Sequence, residues 1–133
     1  MMNTIELKKM ISTFLLTKCS KSYPYDSVPE TAAIPYVTFR LGSSFTDENQ
    51  KMERFTLTID CLDNKSDTTA LDTLAGSIDG DGAIVNATGL HRKRYFLDGT
   101  LQATFYREAR LELDDEDPQI RRRQLRYEVQ AYL

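Results

Sequence analysis

Two stretches near the end of the sequence place an apolar residue at almost every second position. The first stretch has Leu101, Ala103, Phe105, Ala109, Leu111 and Leu113, and the second has Leu125, Tyr127, Val129, Ala131 and Leu133. A period of two is typical of β-strands that bury one face. We therefore expect a sheet that ends in an edge strand, and an exposed edge is a surface that other chains can join.

Two earlier segments, 36–41 and 54–62, show the same alternation. Their apolar positions are Val37, Phe39, Leu41, Phe55, Leu57, Ile59 and Cys61. The segment between them, 42–53, is polar apart from Phe45 and Met52. It is longer than a tight turn requires, so the two strands predict a hairpin with a long polar loop.

The other periodic segments predict two helices. From Thr4 to Lys18, apolar residues recur three and four positions apart. A second helix carries one apolar stripe and is stopped by Gly80 and Gly82; the stripe consists of Ala70, Leu71, Leu74, Ala75 and Ile78. Positions 23–35 hold three of the four prolines and predict an extended connection, whereas 94–97 predicts a short strand at most.

These elements predict a single domain over residues 1–133. The order of helix, two strands, helix and two strands indicates an α+β fold. Its largely antiparallel four-stranded sheet is packed with the N-terminal helix and the second helix, and it carries the long polar β-hairpin.

The composition is that of a soluble globular protein. The sequence has 133 residues, 41% of them hydrophobic, with 17 basic and 20 acidic residues and a net charge of -3. This charge argues against a general nucleic-acid binder, which needs a basic field. We expect no signal peptide and no membrane span, and therefore a soluble cytosolic protein whose Cys19 and Cys61 stay free thiols in a reducing compartment.

Candidate catalytic groups are few. His91, the only histidine, is followed by Arg92-Lys93-Arg94 and is expected to be a solvated loop residue rather than a ligand or base. Asp79-Gly80-Asp81-Gly82 lacks the further ligands of a calcium loop and is expected to be a turn. We therefore expect no catalytic residue, no cofactor and no bound metal.

Charged clusters are the remaining candidates for function. Two basic clusters, His91–Arg94 and Arg121–Arg123, accompany an acidic run over 112–117, and opposite patches suit a head-to-tail contact between identical subunits. Solvated loops are an equally good interpretation of these clusters. The predicted interface residues, including those of the hairpin loop, are Phe45, Asp47, Glu48, Lys51, Arg92, Lys93, Arg94, Asp114, Asp115, Glu116, Asp117, Arg121, Arg122 and Arg123.

The order of these elements resembles one protein family. An N-terminal helix is followed by Val28-Pro29-Glu30, by Ile34-Pro35-Tyr36-Val37 at the start of a strand, and by Glu53-Arg54-Phe55-Thr56-Leu57-Thr58-Ile59-Asp60. This pattern resembles the tail terminator, or tail-completion, proteins of long-tailed bacteriophages and prophages. The resemblance implies a virion protein, assembled in the host cytoplasm, that forms a ring, usually hexameric. Such a ring caps the tube that the tail tube protein forms, stops its polymerisation and offers a surface to head-tail connector proteins. The resemblance implies no catalytic residue.

Three alternatives stay open at this point. A head-tail connector, or neck subunit, has similar size and polarity. A small hydrolase or metal-dependent enzyme would use the carboxylates of Asp114 to Asp117, for which a charged loop is the simpler interpretation. A nucleic-acid-binding regulator is third, because the acidic balance counts against it.

Overall fold

The computed structural model of the chain describes residues 4–47, 52–64, 68–82, 88–97, 101–114 and 118–132. Two helices and six strands follow one another along these ranges. They are α1 (Thr4–Lys18), β1 (Ser22–Pro24), β2 (Tyr36–Asp47), β3 (Met52–Asn64), α2 (Thr68–Asp79), β4 (Arg94–Leu97), β5 (Leu101–Asp114) and β6 (Ile120–Tyr132).

The strands form one mixed, curled sheet in the order β1-β2-β3-β6-β5-β4. β1 runs parallel to β2, and the other neighbouring strands are antiparallel. The prediction of a four-stranded sheet is therefore wrong. β2, β3, β6 and β5 form the antiparallel centre, and the short strands β1 and β4 extend it at both edges.

β1 lies inside the proline-rich connection, where the sequence predicts no strand. The backbone N–H groups of Val37 and Tyr25 donate to the carbonyl oxygens of Lys21 and Phe39, both at 2.9 Å. Pro24 lacks an N–H donor, which an edge strand tolerates because one of its sides has no partner strand. A prediction based on proline content alone therefore misses a short edge strand of this kind.

The core lies between the two helices and one face of the sheet, which we call the inner face. α1 contributes Leu7, Met10, Ile11 and Leu15 to it, and α2 contributes Leu71, Ala75 and Ile78. The predicted inward residues Phe55, Leu57, Ile59 and Cys61 are all buried in the same cluster. Burial raises the pKa of the Cys61 thiol to about 12, so this cysteine behaves as a small apolar residue.

A β-bulge reverses the alternation half-way along β5. The register with β6 shifts between Arg107 and Ala109, so that Phe105 lies opposite Val129 whereas Ala109 lies opposite Arg126. Ala103 and Phe105 are buried as predicted. The same shift places Leu111 and Leu113 opposite Gln124 and Arg122, on the outer face of the sheet. The prediction that all apolar residues of this stretch face the core is therefore wrong.

β6 lies in the interior of the sheet, between β3 and β5. The prediction of a C-terminal edge strand is wrong, because alternation reports which face of a strand is buried and says nothing about its lateral position. The edges are instead β1 and β4. β1 covers only Val37–Phe39 of β2, and β4 covers only Leu101–Thr104 of β5.

The predicted long loop 42–53 is mostly strand. β2 continues to Asp47 and β3 begins at Met52, with these two residues directly opposite each other. A register shift between Ser43 and Phe45 breaks the alternation there, so the sequence lacks the period of two although the backbone pairing continues. Residues 48–51 lie outside the described ranges.

Candidate functional site

The end of α2 is tied to β5 and β6 by a buried carboxylate. Asp79 is 3% exposed, and it accepts hydrogen bonds from the Tyr127 hydroxyl at 2.7 Å and from the Arg107 guanidinium. Burial, together with the bond to Asp79, holds the pKa of the Tyr127 hydroxyl above its usual range. Asp79 thus acts as a fixed anchor for one side of the Arg107 side chain.

Two glycines make the turn after α2 possible. Gly80 and Gly82 have φ angles of 79° and 72°, in the left-handed region that glycine adopts without strain. A Cβ on Gly80 would also overlap the backbone of Gly89. The expectation of a turn at 79–82 is confirmed.

The turn brings His91 against the bulge of β5. The backbone N–H of His91 donates to the carbonyl oxygen of Asp79, with an N···O distance of 3.0 Å. Its Nδ1 accepts a hydrogen bond from the backbone N–H of Arg107, with an N···N distance of 3.0 Å. His91 lies in a turn and is partly exposed, as expected for a loop histidine, but the sequence did not predict the bond that ties its ring to the backbone of β5.

The same contacts create a basic pocket at the β4 edge of the sheet. The pocket has a volume of about 470 Å³. Three arginines, one histidine and two hydroxyl side chains line it: Arg92, Arg94, Arg107, His91, Thr104 and Tyr106. We call this set the β4–β5 pocket. Within the described part of the chain, neither Arg92 nor Arg94 forms an ion pair, and both are exposed.

Lys93, the third predicted residue of this cluster, lies elsewhere. Its ammonium group is 5.3 Å from the centre of the Phe14 ring on α1, a cation–π geometry. Arg92 is the non-glycine residue with a positive φ, 65°, in the described ranges. This turn separates the side chains of Arg92 and Arg94 from that of Lys93.

The second predicted basic cluster makes contacts within the subunit. Arg123 is buried, with its Nε 2.8 Å from Asp72 and 3.8 Å from Glu112. Arg122 lies 3.9 Å from Asp60 on the outer face. Arg121, half-buried, lies opposite Asp114 in the register of β5 and β6. The cluster therefore lies at the end of the sheet where the acidic run begins.

The remaining predicted residues divide between strand and undescribed segments. The backbones of Phe45 and Asp47 belong to β2, and that of Asp114 ends β5. The other five lie outside the described residues: Glu48, Lys51, Asp115, Glu116 and Asp117.

In the described ranges, no group of three or more His, Cys, Asp or Glu side chains is arranged to hold a metal ion. No helix in those ranges has the length and apolarity needed to cross a membrane.

Comparison with known proteins gives a likeness in fold. A chain of the structure described as "Virion of native gene transfer agent (GTA) particle" matches with a TM-score of 0.60 and 15% identity, over 88% of this chain and 83% of that chain. The two chains share a fold. No protein-family model and no curated protein matches the sequence.

Sequence reasoning missed Asp79 and Arg107 as partners, although both carry a signal. Arg107 occupies a position that the alternation of Ala103 and Phe105 assigns to the core, and Asp79 follows the last apolar residue of the helix stripe. A buried charge such as that of Asp79 needs a partner of opposite sign. The separation of 28 positions between them hides the pair from local patterns.

Proposed function

We propose that this chain is a structural protein of a phage-like particle. More finely, we propose that it is a tail terminator, a ring-forming subunit that caps the tail tube, ends its polymerisation and offers the surface for head joining. The observation that carries the proposal is the shared fold, over 88% of the chain, with a chain of a gene transfer agent virion. The resemblance of the sequence to tail terminator proteins supports the finer role.

The architecture supports a role in assembly. Short edge strands leave Leu41–Asp47 of β2 and Ala109–Asp114 of β5 without an outer strand among the described residues. Uncovered strand edges are surfaces to which other chains add. The residues proposed for contacts with neighbouring subunits, the tail tube and the connector are Phe45, Asp47, Glu48, Lys51, Arg92, Lys93, Arg94, Asp114, Asp115, Glu116, Asp117, Arg121, Arg122 and Arg123.

Deleting the gene from the genome that encodes the chain tests the role directly. Without a terminator, tube polymerisation loses its stop signal, so we expect tails of irregular length that carry no heads. Electron microscopy of lysates gives the tail-length distribution, and a plaque or transfer assay gives the functional particles. Supplying the wild-type chain from a plasmid should restore both.

Two results separate the competing roles. Tails of normal length beside unattached heads indicate a neck subunit, which joins but does not terminate. Normal tails joined to heads, with an unchanged number of functional particles, contradict both versions of the proposal.

The hairpin tip offers a narrower test of the interface. Because Asp47 and Met52 lie opposite each other, a two-residue Asn-Gly turn can replace residues 48–51 without shortening either strand. We expect the melting temperature to stay within a few degrees, since loop length has a small effect on closure entropy. Functional particles should fall by at least ~10-fold if Glu48 and Lys51 contribute contacts worth ~1.4 kcal/mol.

A matched variant with Ala at all four positions keeps the length of the connection and removes its side chains. If both variants yield wild-type particle numbers, residues 48–51 make no essential contact. If the shortened chain unfolds while the alanine chain does not, the connection is needed for the hairpin itself.

A further inference from the structure

We propose that the β4–β5 pocket binds the acidic segment 114–117 of a second copy of this chain. The inference rests on the proposed function, because it names the contact that joins neighbouring subunits of the ring. The segment reads Asp-Asp-Glu-Asp and supplies four carboxylates. It would lie across the arginines of the neighbour's pocket.

The pocket has the chemistry of a carboxylate site. Its Arg92 and Arg94 side chains are exposed and form no ion pair within the described part of the chain. Guanidinium groups bind carboxylates through two parallel hydrogen bonds, and the hydroxyls of Thr104 and Tyr106 add donors beside them. Arg107, which also lines the pocket, is held by Asp79, so part of the site is already ordered before binding.

The segment cannot reach the pocket of its own subunit. Arg94 lies opposite Thr104 of β5, ten positions from Asp114, which separates the two by about 30 Å of extended strand. Residues 115–117 are within three positions of Asp114, so chain length alone keeps each of them within about 10 Å of it. Arg92 and Arg94 are therefore out of reach of the acidic segment of the same subunit.

This separation sets the geometry of the contact. Two complementary patches that cannot meet within one subunit can meet between two subunits, and the same contact can then repeat around an axis. Head-to-tail repetition closes a ring when the rotation between neighbours divides a full turn. The other basic cluster is a weaker site, because Arg122 and Arg123 already face Asp60, Asp72 and Glu112 of their own subunit.

Charge reversal on each side gives the test. The pocket variant is Arg92→Glu/Arg94→Glu, and the segment variant is Asp115→Lys/Asp117→Lys. Sedimentation velocity over a concentration series measures association of each purified chain. Each variant alone places like charges across the contact, so we expect its dissociation constant to rise at least ~30-fold, or about 2 kcal/mol.

An equimolar mixture of the two variants should associate again. The acidic segment of the pocket variant then meets a basic pocket, and the lysine segment of the other variant meets a glutamate pocket. The control is Lys8→Glu/Lys9→Glu on α1, which makes the same change in net charge as the pocket variant, on exposed residues away from the pocket. It should associate like the wild type, and thermal melts should show that all variants fold.

Three sedimentation results would overturn the inference. The mixture of the two variants could stay as dissociated as each variant alone, or each single variant could associate like the wild type. The wild-type chain could also be monomeric at all concentrations. If the pocket variant associates normally but loses salt-sensitive retention on double-stranded DNA, the pocket binds phosphates instead. None of these results affects the gene-deletion test, so a failure of this contact is distinguishable from a failure of the proposed function.

Discussion

Replacing Leu57 by alanine is expected to lower the free energy of unfolding by ~2–5 kcal/mol. Leu57 is 0% exposed and lies on β3 between Leu41 of β2 and Tyr127 of β6. Truncation removes its apolar burial and leaves a cavity that packed strands on both sides cannot close. Urea denaturation followed by circular dichroism measures the change.

Thr58→Ala is the matched control, because Thr58 is the next residue of the same strand and points to the outer face opposite Arg40 and Arg126. We expect it to change stability by less than ~1 kcal/mol. A loss below ~1 kcal/mol for Leu57→Ala as well would contradict the assignment of the inner face.

Replacing Asp79 by alanine should lower the free energy of unfolding by ~2–3 kcal/mol. The Tyr127 side chain is 0% exposed and would lose the acceptor for its hydroxyl, and an unsatisfied buried donor costs ~1–3 kcal/mol. Arg107 adds less, because its side chain is 38% exposed and water can replace the carboxylate. The same denaturation experiment gives the value.

The double variant Asp79→Ala/Tyr127→Phe isolates the hydrogen bond. Once the hydroxyl is gone, alanine at position 79 no longer leaves it unsatisfied, so the double variant should lose less stability than the sum of the two single variants. Strict additivity would show that the contact between Asp79 and Tyr127 contributes nothing to stability.

Local sequence patterns predicted the long elements of the fold. The first helix spans Thr4–Lys18 as the three- and four-residue spacing indicates, and the alternation of Phe55, Leu57 and Ile59 identifies the buried face of β3. These predictions succeed because each depends on burial of one face of one element. Burial repeats with the period of that element.

The order of strands could not be predicted in the same way. Alternation in β6 is the same for an interior and an edge strand, and β1 is too short for any period to appear. The bulge near Arg107 keeps the apolar residues at odd positions while it moves Leu111 and Leu113 to the other face. Such features depend on pairing between distant segments.

The candidate site was partly visible in the sequence. Arg92 and Arg94 stand out as part of a basic cluster, but the pocket also needs Arg107 and Tyr106 from β5 and the turn that directs Lys93 toward Phe14. That arrangement arises from the contact of the α2 end with the β5 bulge. The acidic segment is visible in the sequence, whereas its separation from the pocket follows from the length of β5.

Electron microscopy of purified chain mixed with polymerising tail tubes tests the terminator role most directly. We predict a closed ring of the chain at one end of each tube and an arrest of tube growth that depends on the concentration of the chain. Tubes that grow to the same length with and without the chain, and that carry no ring at either end, would contradict the role.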